Sequence, residues 1–251
     1  MEPFFFSEQG RKLLGLYHPP AGFAKDSGVL ICPPLFGEYM RTHGCLRQLA
    51  IELAALGHHV LRFDYSGTGD SAGDIQDASV SNWLEDICAA AKELQAISGI
   101  ANVALAGVRL GAALAVSAAS ECRAVRRVVL WDPVDDGTRY LQGLNDTYEA
   151  LIASHENLAP ADVEAARNST TGYALTEPLL QSIGSLRIEE ACRAQANRLF
   201  VLLTDKASFD SGYWQKRTPN CQFFEYDCNW PTFSESVVFG RSLIKELVGQ
   251  V

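Results

Sequence analysis

The segment Val103-Ala-Leu-Ala-Gly107-Val-Arg109-Leu-Gly111-Ala-Ala-Leu-Ala115 decides the architecture. Its first half is a short apolar run suited to a strand buried on both faces, and its second half is rich in the helix formers Ala and Leu. Gly107 and Gly111 stand at the junction. Glycine is required where a strand turns so sharply into a helix that neighbouring backbone leaves no room for a side chain. Taken alone, two glycines at this interval signify only a tight turn. The spacing is also that of the strained turn G-x-S-x-G, with Arg109 at the centre where that motif carries serine.

The flanking sequence repeats the same alternation. Lys12 to Tyr17 reads as a short strand ended by Pro19-Pro20, and Gly28 to Cys32 as a fully buried one. A helix is predicted from about Arg41 to Leu56, stopped by Gly57, then a strand over His59 to Phe63 and a helix from Val80 to Ile97, stopped near Gly99. Downstream come a helix over Leu110 to Cys122 and strands over Val125 to Trp131, Leu199 to Thr204 and Cys221 to Tyr226. An amphipathic helix over Phe233 to Val248 closes the chain. Strands alternating with helices imply right-handed crossovers and a doubly wound α/β domain with a mostly parallel sheet. The interval between Trp131 and Leu199 is too long for a structureless loop. It predicts an inserted helical cap over residues Asp136 to Arg193, broken at Pro160, Gly172 and Pro178, on a core formed by residues 1–135 and 194–251.

Composition narrows the function. A chain of 251 residues, 47% hydrophobic and 20% charged, fits one large domain or one domain with an insertion. The net charge of −9, with no Lys/Arg run interleaved with aromatics, excludes an electrostatic footprint for nucleic acid. Met1 to Phe6 is too short for a signal peptide, and no apolar stretch approaches the roughly 20 residues of a membrane span, so a soluble cytoplasmic protein is expected. The seven cysteines are scattered and form no C-x-x-C pair, which predicts buried thiols and neither a disulfide framework nor a zinc site. Gly67-x-Gly69-x-x-Ala72 mimics a dinucleotide fingerprint. Asp70, Gly73 and Asp74 stand where a helix N-terminus would have to face pyrophosphate, so no cofactor is expected.

Four stretches carry a resemblance: Cys32-Pro-Pro-Leu-Phe-Gly-Glu-Tyr-Met-Arg-Thr-His43, Phe63-Asp-Tyr-Ser-Gly-Thr-Gly-Asp-Ser71, Gly107-Val-Arg-Leu-Gly111 and Leu130-Trp-Asp-Pro-Val134. Together they resemble the α/β-hydrolases, and within them the exosortase A system-associated hydrolases related to the serine aminopeptidase group. The likeness covers most of residues 1–135 and implies an α/β-hydrolase fold. It places the nucleophile position on Arg109, the acid position on Asp205, and the base between the last strand and last helix. That last segment is Asp227-Cys-Asn-Trp-Pro-Thr232, without histidine. A guanidinium cannot attack a carbonyl, and loss of one triad member costs up to about a million-fold in turnover. Asp132 is an alternative acid. Of the five histidines, His43 follows the loop that supplies half of an oxyanion hole, and His155 could overhang the site from the cap. Ser66 and Ser71 are the displaced serines to consider, although Gly-Thr-Gly-Asp-Ser reads more simply as a turn.

Two classes of function follow. The favoured one is a non-catalytic protein that holds a small acyl or anionic ligand with Arg109, the amides of Leu110 and of the Leu35-Phe36 loop, Asp132 and His155. In a plainer variant Arg109 pairs with Asp132 or Asp205 and plugs the pocket, leaving a surface for a protein partner. The other class is an enzyme using unorthodox groups on esters or thioesters, with the oxyanion hole intact. The exosortase resemblance also implies a bacterial setting of surface polysaccharide and protein sorting.

Overall fold

Strands β1 (Glu2–Glu8), β2 (Arg11–His18), β3 (Gly28–Cys32), β4 (His59–Phe63), β5 (Val103–Val108), β6 (Val125–Trp131), β7 (Leu199–Leu203) and β8 (Cys221–Phe223) form one sheet. Its order is β1-β2-β4-β3-β5-β6-β7-β8, parallel from β4 to β8 and antiparallel at the β1 and β2 edge. The structure is a computed structural model and describes residues 1–154, 173, 175–204, 211–228, 230, 238 and 240–251. The helices are α1 (Phe36–Ala55), α2 (Val80–Ser98), α3 (Leu110–Ala118), α4 (Gly137–Ser154), α5 (Glu177–Gly184), α6 (Glu189–Gln195), α7 (Ser211–Gln215) and α8 (Arg241–Val248).

The two-residue period of the strands divides the core between the two faces of the sheet. Leu30, Leu61, Leu105, Leu130 and Val201 pack on the side of α2 and α3. Val29, Ile31, Val60, Val129 and Leu202 pack on the side of α1 and α8. Every residue of β3 is buried, as a central parallel strand requires. Helix α2 starts on Ser79, whose hydroxyl accepts from the Asn82 amide at 3.1 Å, and ends at Gly99 in a left-handed conformation at φ 73°. These features realise the expected α/β-hydrolase architecture.

The structure departs from expectation at five places. Glu2–Glu8 is a strand, paired with β2 through a turn in which Gln9 (φ 48°) and Gly10 (φ 84°) are both left-handed, the geometry that matches strand twist in two-residue hairpins. Helix α1 begins at Phe36, several residues before the first apolar periodicity. Pro178 lies in the first turn of α5, where a missing N–H costs nothing, and so begins a helix instead of breaking one. Cys88 and Cys122 form a disulfide with Cα atoms 5.5 Å apart, against the expectation of thiols alone. Their separation of 34 residues carries no local signal. The closing helix begins at Arg241; most of its expected first turns, like Pro160 and Gly172, lie outside the described residues.

The interval between β6 and β7 holds α4 and α5, which pack on each other, and α6, which packs on α3. Its base is closed by a bridge between Asp136 and Arg187, reinforced by an ion pair at 3.2 Å.

Candidate active-site remnant

The turn from β5 into α3 is as tight as the glycine spacing demands. A Cβ on Gly107 would lie 2.5 Å from Ala112 Cα, and one on Gly111 would lie 2.1 Å from the Pro33 carbonyl oxygen. Arg109 between them adopts φ 53° and ψ −120°, a region disfavoured for any L side chain by about 1–3 kcal/mol. Its backbone is held from three sides. The Arg109 amide donates to the Trp131 carbonyl at 3.0 Å, and its carbonyl accepts from the amides of Ala112 at 3.0 Å and Val134 at 3.3 Å. The elbow is therefore rigid, and the residue at its apex is presented at the C-terminal edge of the sheet.

The Arg109 side chain is spent on protein partners. Nε donates to Glu38 Oε1 at 2.9 Å and Nη1 to the Asp132 carbonyl oxygen at 3.1 Å. The guanidinium carbon lies 5.1 Å from the centre of the Trp230 ring and 5.8 Å from that of Tyr140, within cation–π reach of both. Tyr140, on α4, donates its hydroxyl to the other Glu38 oxygen at 3.0 Å. Burial opposes the charge on Arg109, yet the neighbouring Glu38, with help from Tyr140 and Asp132, outweighs it and raises the pKa above arginine's ordinary value. Burial, then the adjoining Glu38, pushes the Tyr140 phenol well above its usual range, so it stays protonated and donates to Glu38. Arg109 is a fixed cation at any accessible pH.

Asp132 is fully buried and its carboxylate points to a different set of groups. Oδ1 accepts from the Thr204 amide at 2.8 Å, and Oδ2 accepts from the Thr204 hydroxyl and from Trp230 Nε1, the latter at 2.7 Å. Burial raises its pKa, and the bonds from Thr204 and Trp230 only partly offset this. Trp230 follows β8 and precedes α8, in the segment where the fold's histidine was sought. Its indole N–H donates to a buried aspartate and its ring faces the elbow residue, which are the two relations a triad histidine makes. An indole nitrogen has no lone pair to accept a proton. Arg109, Trp230 and Asp132 thus form one contiguous constellation at the C-terminal edge of the sheet. Arg41 of α1 fixes the loop, donating to the carbonyl oxygens of Cys228 at 2.8 Å and Trp230 at 3.4 Å. Burial pushes the thiol of the neighbouring Cys228 up to about 12.

The expected site residues are only partly brought together. Arg109 lines an open cavity of about 370 Å³ with Glu38, Val134, Tyr140, Leu144, Trp214 and Trp230. Leu35 and Phe36 line a different cavity, of about 400 Å³, on the other side of the first turn of α1. The Leu110 and Phe36 amides donate no hydrogen bond to any described residue, as oxyanion-hole donors would, and Pro33 and Pro34 have no N–H to offer. Phe36 is held at φ 57°. Two expectations are corrected among the described residues. His43 is exposed and stacks edge-on against Tyr39, with ring centres 5.9 Å apart, away from Arg109, because α1 turns its position to the opposite side from Glu38. Asp132 gives Arg109 its carbonyl and not its carboxylate. Among the described residues the acid paired with Arg109 is Glu38, which the sequence contained within the quoted Cys32 to His43 stretch but did not single out. Asp205 and His155 lie outside the described residues.

The two serines are structural. Ser66 donates to buried Asp86 at 2.7 Å, and Ser71 donates to the Asp64 carbonyl at 2.6 Å while accepting from the Leu14 amide at 2.9 Å. The Gly67 to Gly73 loop runs into a 3₁₀ turn over Ile75–Asp77, not into an α-helix, so no amide cluster for pyrophosphate is formed there.

Residues 36–170, more than half of the chain, match the family described as serine aminopeptidase, S33. Over 65 residues the chain is 35% identical to the mitochondrial palmitoyl-protein thioesterase ABHD10 of Bos taurus, a match covering 25% of this chain and 20% of the relative. Among solved structures, Est1E of Butyrivibrio proteoclasticus superposes with a TM-score of 0.66 at 17% identity, covering 98% of this chain and 96% of its own. An esterase of Pyrococcus furiosus gives 0.66 at 15% identity, covering 99% and 89%. At such identities the structural matches speak for the fold alone. With more than half of its length matched by the family and the elbow intact in space, the chain belongs to the serine aminopeptidase, S33, family of hydrolases.

Proposed function

We propose that this protein is a pseudo-hydrolase, a non-catalytic member of its family that binds a small acyl or anionic ligand in the Arg109 cavity. The observation that carries the reading is the Arg109–Trp230–Asp132 constellation. Arg109 stands where the family's nucleophilic serine stands, and Trp230 occupies the histidine's place with its one polar atom committed to Asp132. Neither group can perform the proton transfers of acyl transfer. The cavity walls of Tyr140, Leu144, Trp214 and Trp230 suit an apolar chain, and a ligand carboxylate or carbonyl oxygen would accept from Arg109 in exchange for Glu38. On this reading residues 136–193 are a cap whose Tyr140 closes over the elbow. The resemblance to exosortase A system-associated proteins supports a bacterial setting.

A second reading keeps an enzyme, acting on esters or thioesters. Two observations favour it: the Leu110 and Phe36 amides, which donate to no described residue and so could serve an oxyanion, and the local likeness to a palmitoyl-protein thioesterase. The test is hydrolysis of activated esters and acyl thioesters by wild type, Arg109→Ala and Arg109→Ser, with ligand-induced thermal shifts on the same samples. No turnover in wild type, together with a shift by carboxylates that Arg109→Ala abolishes, is the expected result. Wild-type turnover that disappears in Arg109→Ala would replace the binder with an unorthodox enzyme.

A further inference from the structure

Cys88 and Cys122 are the one pair of bonded cysteines among the described residues, and their position ties them to the elbow. Cys88 lies on α2. Cys122 follows α3 directly, its amide donating to Ala118 and its carbonyl accepting from the amide of Val125, the first residue of β6. The covalent loop from residue 88 to residue 122 therefore encloses β5, Arg109 and the whole of α3. Its far end sits at the hinge between α3 and β6, the two elements that carry Arg109 and Asp132 at their opposite ends. Helix α3 has no side-chain cap at its start, so the disulfide adds a covalent tie to the buried packing that holds it. Helix α2 is a firm anchor, since its Asp86 accepts from Ser66 and from Arg11.

The other five cysteines are chemically quiet. Burial raises Cys45 and Cys221 to about 11 and Cys192 and Cys228 to about 12, and lifts Cys32 further still. Thiol chemistry depends on the thiolate, so little is available at these positions. Cys88, half-buried on α2, and the buried Cys122 are instead held together as a disulfide.

We infer that Cys88–Cys122 is a reversible thiol–disulfide site that sets the rigidity of the elbow. In the reducing direction, the thiolate of a dithiol attacks one sulfur of the pair to form a mixed disulfide and release the other cysteine as a thiolate. The second thiol of the reductant then closes its own disulfide and expels the first cysteine. Two electrons pass from the dithiol to the protein, and two protein thiols result. A small-molecule or protein dithiol is the co-reactant, and a disulfide of the same class reverses the step. Opening the loop restores chain entropy to the unfolded state, and α3 loses its tie to α2.

The test uses the full chain equilibrated with oxidised or reduced dithiothreitol, alkylated under denaturing conditions, counted by mass, and melted in parallel before alkylation. Oxidised protein is expected to take up label on five of its seven cysteines, and reduced protein on all of them. The reduced form is expected to melt roughly 5–10 °C lower. Cys88→Ala/Cys122→Val, which keeps both sites apolar, should match the reduced wild type and ignore the reductant. Label on all cysteines of the oxidised protein would overturn the site. So would equal melting of the two wild-type forms, or a double variant that still responds to dithiothreitol. If the double variant fails to fold, the wild-type comparison alone decides.

Discussion

Removing Arg109 tests the account of the elbow most directly, because its guanidinium and Glu38 form a pair that is nearly sealed from water. The side chains are 14% and 4% exposed, and the bond length is 2.9 Å. Replacing Arg109 by Leu leaves Glu38 with the Tyr140 hydroxyl as its remaining described partner, and breaking a buried pair on one side costs about 3–5 kcal/mol. For a domain of this size that is a fall of roughly 6–20 °C in melting temperature. Glu38→Leu should cost a comparable amount, because Arg109 then keeps a neutral carbonyl and two ring faces in place of a carboxylate. The double variant Glu38→Leu/Arg109→Leu removes both charges and should recover much of the loss, giving a coupling on the order of 2 kcal/mol. Denaturant melts of the four proteins at one pH supply the cycle. A coupling under about 0.5 kcal/mol, the scatter expected of independent sites, would refute the claim that Glu38 is what neutralises the elbow arginine.

Gly111→Ala should abolish cooperative folding, because its Cβ would meet backbone oxygens of Pro33 at 2.1 Å and Cys32 at 2.5 Å. A soluble variant melting within a few degrees of wild type would contradict this. Thr204→Val removes a hydroxyl donor from the Asp132 carboxylate and should cost about 1–3 kcal/mol near neutrality. Its pH dependence follows from the raised pKa of Asp132, held up by burial. The folded state takes up that proton more readily than the unfolded state, so stability is fullest below the ordinary carboxylate value and declines as pH rises through the folded one. Losing a bond to the charged form widens that window, and the variant's deficit should be larger at pH about 7 than at pH about 4. Equal deficits at the two pH values, read from urea melts, would show that Thr204 does not favour the ionised form.

Much of the fold was legible from the chain. Strands β3, β4 and β6 begin and end as expected; β3 is an unbroken buried apolar run, whereas Arg62 in β4 and the exposed Arg126 and Arg127 in β6 interrupt an otherwise apolar signal. The β1–β2 hairpin was missed because Met1 to Phe6 was weighed as a leader. The alternation of Phe4 and Phe6 and the Gln9-Gly10 turn were available as signals. At the site, Arg109 was identifiable because its flanking glycines mark the turn at short range. Its partner was not, because Glu38 is 71 residues away and reaches it only through the packing of α1 beside the elbow. Trp230 shows a third situation: the sequence located the segment between the last strand and last helix and its lack of histidine, but the contacts of Trp230 with Asp132 and Arg109 depend on a loop held by Arg41.

The glycines at 107 and 111 answer to backbone oxygens and Cα atoms, and nothing in that requirement refers to the side chain between them. Packing and chemistry at this turn are consequently independent constraints, and a chain can keep the first after surrendering the second. In this fold, a glycine-framed turn certifies the scaffold, and what the scaffold does must be read one residue at a time from whatever stands at its apex.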